Sequence, residues 1–143
     1  PRLPKNVSLE VAEPPTLPPV SADESKARQV LVNLIDNAVK YSPAGGRIEL
    51  RLEPLNGYVV IAVTDEGLGI PLSEQEHIFE KFYRLDPDMA RGIGGTGLGL
   101  YICRELAGRM GGNVRVTSRP GAGSTFFFEL PLFTSPAAHG AVG

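Results

Sequence analysis

Cysteine is almost missing from this chain. Cys103 is the only one in 143 residues, which excludes an internal disulfide framework and a cysteine zinc site. Histidine is scarce too, and His77 and His139 alone argue against a histidine-rich metal centre. Apolar runs are short; none approaches the roughly 18 residues of a bilayer-spanning helix. The opening PRLPKNVSLE holds no apolar stretch, so no signal peptide is expected. A large excess of one charge is also lacking. The net charge of −2 does not point to a general binder of nucleic acid or acidic membranes. Residues 81–119 are the exception, with seven Lys and Arg against three Asp and Glu. That basic stretch suits an anionic ligand, and it equally suits a solvated face.

What is present is ordinary globular material, 42% hydrophobic and 21% charged. The length suits one domain, able to bury about 68–70% of its unfolded surface. Val7 to Val11 alternates and reads as a strand, and the proline-rich run Glu13 to Pro19 reads as a stiff connection. Ser21 offers an N-cap with Glu24 as its capping-box partner. A helical period follows in Ala27, Val30, Leu31, Leu34, Ala38 and Tyr41, stopped by Ser42-Pro43-Ala44-Gly45-Gly46. Arg47 to Glu53 and Tyr58 to Thr64 read as strands joined by an Asn56-Gly57 hairpin. A short helix is expected from Glu74 to Tyr83. A second long helix is expected from Leu98 to Met110, with Leu98, Tyr101, Ile102, Leu106 and Met110 apolar and Gly111-Gly112 closing it. Val114 to Thr117 and Ser124 to Leu130 are the last strands. From about Ser135 an Ala-, Gly- and Pro-rich tail is expected to be disordered.

Three places carry chemistry. On the first helix Asn33 and Asn37 are four apart and share a face, which Lys40 and Tyr41 extend. An amide oxygen ligates Mg²⁺, an ammonium pairs with phosphate and a ring covers a base, although a solvated polar face has the same composition. Asp65-Glu66-Gly67-Leu68-Gly69-Ile70-Pro71 ends an apolar strand. A carboxylate there can accept from an exocyclic amine, and the alternate glycines let backbone approach a flat ligand, or the run simply closes the strand. Gly92-Ile93-Gly94-Gly95-Thr96-Gly97-Leu98-Gly99-Leu100 contains a formal GxGxxG. No strand precedes it, so the dinucleotide reading fails, and no GxxxxGK[ST] is present. What survives is a glycine loop entering a helix, whose free N–H groups suit an anion.

In order and spacing these runs resemble the boxes of sensor histidine kinases. Asn33 to Ser42 is similar to the N box, Asp65 to Gly69 to the G1 box, Ile78 to Arg84 to the F box, and Gly95 to Leu100 to the G2 box. The resemblance covers roughly residues 23–131. It implies the catalytic, ATP-binding domain of a two-component sensor histidine kinase. The implied fold is an α+β two-layer sandwich, the Bergerat fold, with a mixed, mainly antiparallel sheet packed on helices. The implied domain is 1–134.

Residue roles follow from the same resemblance. Asn37 resembles the amide that holds Mg²⁺ against the phosphates, with Asn33 one turn earlier. Lys40 would contact phosphate and Tyr41 would lie by the nucleotide. Asp65 resembles the carboxylate that binds the adenine amino group, with Gly67 and Gly69 shaping its pocket and Ile70 among the implied ATP-binding residues. Arg84 resembles the F-box arginine that reaches the γ-phosphate. Gly95, Thr96, Gly97, Leu98 and Gly99 would close over the phosphates. Asn33, Lys40 and Arg84 are the implied catalytic residues.

The implied ligands are ATP or ADP and Mg²⁺. The implied partners are the kinase's own dimerisation and histidine-phosphotransfer domain and a response regulator, without nucleic acid or membrane contact. A cytoplasmic location is expected, with any membrane anchor in segments outside these residues. The phosphoacceptor histidine of such kinases sits on a helical hairpin that is not legible here, and His77 reads as a surface or packing residue. Cys103 and the phenylalanines Phe79, Phe82 and Phe126 to Phe128 read as packing residues. Related hydrolases keep a glutamate at the position of Asn33, and a neutral amide cannot activate water. The competing readings are an ATPase of the same superfamily, a nucleotide-dependent regulatory module, and a serine-directed kinase on this fold. Residues 85–95 are expected to form a mobile lid.

Overall fold

The computed structural model describes residues 7–12, 23–42, 44–81 and 99–132. Its elements are β1 (Val7–Ala12), α1 (Glu24–Lys40), β2 (Gly46–Leu55), β3 (Tyr58–Asp65), α2 (Leu72–Gln75), α3 (Gly99–Arg109), β4 (Asn113–Ser118) and β5 (Ser124–Pro131). The five strands form one sheet in the order β1-β2-β3-β5-β4. β1 runs parallel to β2, and the other neighbours are antiparallel.

β3 therefore lies at the centre, and its apolar run is the consequence. Val59, Ile61 and Val63 face the helices, in register with Leu130, Phe128 and Phe126 of β5. The next inward position is Asp65, opposite Ser124. Asn56 (φ 52°) and Gly57 (φ 84°) both take the left-handed backbone of a two-residue hairpin turn.

α1 and α3 pack together on the inner face of the sheet. Val30, Leu34 and Ala38 of α1 are fully buried, as the helical period requires. The cap differs from the expected Ser21: Asp23 is the N-cap, and its Oδ1 accepts from Ser25 N at 3.0 Å and Lys26 N at 3.2 Å. Ser21 lies outside the described residues.

The buried stripe of α3 is Leu100, Cys103 and Ala107, with Leu106 and Met110 at its margin, instead of the stripe centred on Tyr101 and Ile102. The smaller side chains face α1, and Cys103 Sγ lies 3.7 Å from Val30 O. Gly111 (φ 78°) ends the helix in a Schellman turn, with Gly112 N–H donating to Ala107 O at 2.8 Å and Gly111 N–H to Gly108 O at 3.1 Å.

α2 is only four residues long, so the expected helix from Glu74 to Tyr83 stops short. The chain continues in turns that bury two successive residues, Ile78 and Phe79, which a regular helix would set 100° apart. Phe79 meets Phe126 edge to face at 6.2 Å and carries the Arg104 guanidinium 3.8 Å above its ring. Arg104 also donates to Val114 O at 2.9 Å, tying this segment to α3 and β4. Phe82, the 85–95 lid and the tail beyond 132 lie outside the described residues.

Candidate nucleotide-binding site

The candidate site gathers where β3, α1 and the β4–β5 turn end together. Asp65 is 2% exposed. Its Oδ1 accepts from Gly67 N at 2.9 Å, and the nearby Ser124 amide also favours the charged form. Burial outweighs those amides and pushes the carboxyl up to about 6. Tyr41, at the end of α1, is buried in the core, and burial together with the Asp65 charge raises its phenol to about 12. Asn33 and Asn37 are both half-buried, so this helix face is not a solvated one. The Asn33 side chain hydrogen-bonds the Cys103 thiol, whose own proton burial holds up to about 12. Lys40 is exposed at the last position of α1.

Buried polar atoms normally have partners, and exceptions mark places where one is needed. Among the described residues the side-chain exceptions are Asn37 Nδ2, Ser42 Oγ and Asp65 Oδ2. Two of them belong to residues the sequence singles out.

The loop after Asp65 is shaped by glycine for a physical reason. A Cβ on Gly67 would overlap the Tyr41 carbonyl, and one on Gly69 (φ 75°) would overlap the Arg119 carbonyl. The loop backbone is tied on both sides. Leu68 N–H donates to Tyr41 O at 2.9 Å, and Leu68 O accepts from Gly121 N at 2.6 Å. Ile70 is fully buried, and its N–H donates to Ser118 Oγ at 2.7 Å. Ser118, Ser124 and Gln75 around this loop escaped the sequence reading. Hydrogen bonds from isolated side chains to remote carbonyls leave no periodic signal.

A cleft of about 270 Å³ opens at the same end, with Asp65, Thr64, Ser118, Arg119, Ser124 and Thr125 in its lining.

Gly99 is the exposed first residue of α3. Arg84, Gly95, Thr96, Gly97 and Leu98 lie outside the described residues, as does His139. His77 is exposed and pairs with Glu80 Oε2 at 3.0 Å, which raises its pKa. No described helix is long and apolar enough to cross a membrane.

A buried carboxylate at the end of a central strand, a glycine loop beside it and amides on an adjoining helix gather at one end of an α/β sandwich domain. The chain belongs to the histidine kinase-, DNA gyrase B- and HSP90-like ATPase family, which matches residues 22–134. Within that family it resembles the catalytic domains of sensor histidine kinases. It is 41% identical over 120 residues to the sensor-like histidine kinase SenX3 of Mycolicibacterium smegmatis, covering 84% of this chain and 31% of that protein. It spans about a third of the length of the curated relatives it matches. The structure superposes on full-length ShkA in complex with AMPPNP with a TM-score of 0.77 and 35% identity, covering 92% of this chain and 27% of that one. The mycobacterial sensor histidine kinase MprB gives a TM-score of 0.74 and 31% identity, covering 91% of this chain and 85% of that one.

Proposed function

We propose that this domain binds Mg·ATP beside Asp65 and the end of α1. It then donates the γ-phosphoryl group to a histidine on a dimerisation domain outside these 143 residues. The carrying observation is the set of unpartnered buried atoms, Asn37 Nδ2, Ser42 Oγ and Asp65 Oδ2, around a glycine-shaped loop. Asp65 Oδ2 is an acceptor without a donor, and the adenine amino group supplies one. Gly67 and Gly69 let the loop pack directly on the Tyr41 and Arg119 carbonyls, which sets its path beside Asp65.

The residues fit Mg²⁺ in the way this ion is usually held, by one or two protein oxygens with phosphates supplying the rest. Asn37 offers an amide oxygen, and among the described residues no cluster of three His, Cys, Asp or Glu competes for the ion. When bound, the ion neutralises phosphate charge. Lys40 adds a positive charge from the end of α1, and Arg84 and the loop of Gly95, Thr96, Gly97, Leu98 and Gly99 act at the γ-phosphate end. In the transfer, a histidine nitrogen forms the new N–P bond and ADP leaves with the bridging oxygen. Positioning and charge neutralisation supply most of the catalysis, so no protein base is required. A response regulator takes the phosphoryl group next.

The test is incubation with γ-labelled ATP, alone and with the dimerisation domain of the same kinase. The chain alone binds ADP and ATP without labelling itself, and the added domain acquires acid-labile label on its histidine. Stable acid-labile label on His77 would overturn the assignment.

A further inference from the structure

We propose that Gln75 and Ser118 are positioning residues of the base pocket, holding the backbone of Ile70 through the peptides on either side of it. The inference rests on the nucleotide reading above. Ile70 belongs neither to a helix nor to the sheet, so no regular ladder satisfies its backbone. Its N–H donates to Ser118 Oγ at 2.7 Å, and its carbonyl accepts from Gln75 Nε2 at 2.8 Å. The same amide group of Gln75 donates to Ser118 O at 2.9 Å. One side chain thus bridges carbonyls 48 positions apart, at residue 70 and residue 118.

The clamp continues toward Asp65. Ser118 Oγ lies 2.8 Å from both Gly123 O and Ser124 Oγ, and Ser124 faces Asp65 across the β3–β5 pair. A hydroxyl has one proton. If Ser118 gives its proton to Gly123 O, Ser124 donates to Ser118, and the row of hydroxyls is fixed in one direction. Gln75 also ends α2, immediately before the turns that carry Ile78 and Phe79 into the core. The loop at Ile70 and the turns that bury Ile78 and Phe79 therefore share a fastening.

Without the clamp the Ile70 backbone keeps its place only through its neighbours. A loosened floor lowers affinity for adenine and also the discrimination between bases, because the pocket no longer holds one shape. A purely structural role would lower stability and leave discrimination unchanged.

The experiment is calorimetry of Mg·ADP and Mg·GDP with wild type, Gln75→Met, Ser118→Ala and Ser118→Thr, beside thermal melting without nucleotide. Gln75→Met removes both donors at similar volume, and Ser118→Thr keeps the hydroxyl. Gln75→Met and Ser118→Ala are expected to lose about tenfold in ADP affinity and to narrow the preference for ADP over GDP. Ser118→Thr keeps both. Wild-type affinity and preference in Gln75→Met and Ser118→Ala overturn the proposal, as does a lowered melting temperature with preference unchanged. If Gln75→Met does not fold, the Ser118 pair decides by the same criterion. Failure of the wild-type domain to bind ADP would instead overturn the nucleotide reading.

Discussion

Asp65 keeps its proton to about pH 6 because burial disfavours the charge, whereas the unfolded chain loses it near 3.8. The folded carboxyl is thus stabilised in its protonated form. That contribution is complete below about pH 4 and is lost as pH rises to about 6, amounting to roughly 3 kcal/mol. Asp65→Asn does not titrate, so the stability of wild type relative to this variant falls across that window and is flat above it. Urea melts at pH 4.5 and 7.5 measure the difference, and a difference that grew with pH would contradict the account. The same substitution weakens ADP binding at pH 7.5 by roughly 10- to 150-fold, the loss of a charge-assisted hydrogen bond. Wild-type affinity falls as pH drops below about 6, because the protonated carboxyl accepts the adenine amino group poorly. The strand end at Asp65 and the tight loop of Gly67 and Gly69 were legible in the sequence, although the close approach is to the Tyr41 and Arg119 carbonyls and not to a ligand. Gln75 and Ser118 were not, because any polar side chain of the right reach could serve.

Elements were read well where one period dominates and less well where two compete. The five strands and α1 follow from alternation and from the 3.6-residue repeat. α3 carries two overlapping stripes one position apart, and packing against α1 selected the smaller one, Leu100, Cys103 and Ala107. α2 gives way after Gln75 to turns that bury the successive residues Ile78 and Phe79, which no single helical period encodes. The end of α3 gives a clean test. Gly111 has a φ of 78°, which an alanine adopts at a cost of about 1–2 kcal/mol. Gly111→Ala is expected to lower the unfolding free energy by that amount in urea titration, with ADP affinity unchanged. An unaltered midpoint would mean that the helix terminates without the Schellman turn. The cap is tested by Asp23→Ala, which lowers the urea midpoint without touching nucleotide binding.

At the scale of the molecule the proposed function separates holding ATP from spending it on water. Asn33 stands beside a neutral thiol, and an amide takes no proton from water at neutral pH. Steady-state phosphate release by the wild-type domain is therefore expected to be slow. Asn33→Glu is expected to raise it, toward the roughly 10²–10⁴-fold a general base contributes. Fast release by the wild type would favour the superfamily ATPase reading instead. The sheet also has a quiet end. Tyr58 begins β3 seven residue steps before Asp65, about 23 Å away at the usual strand rise. The Asn56-Gly57 turn projects there, and a Cβ added to Gly57 meets nothing within 4 Å. That turn is a graft point: a dye-labelled peptide or a reporter module inserted between Asn56 and Gly57 would give an optical handle on this domain, remote from the nucleotide.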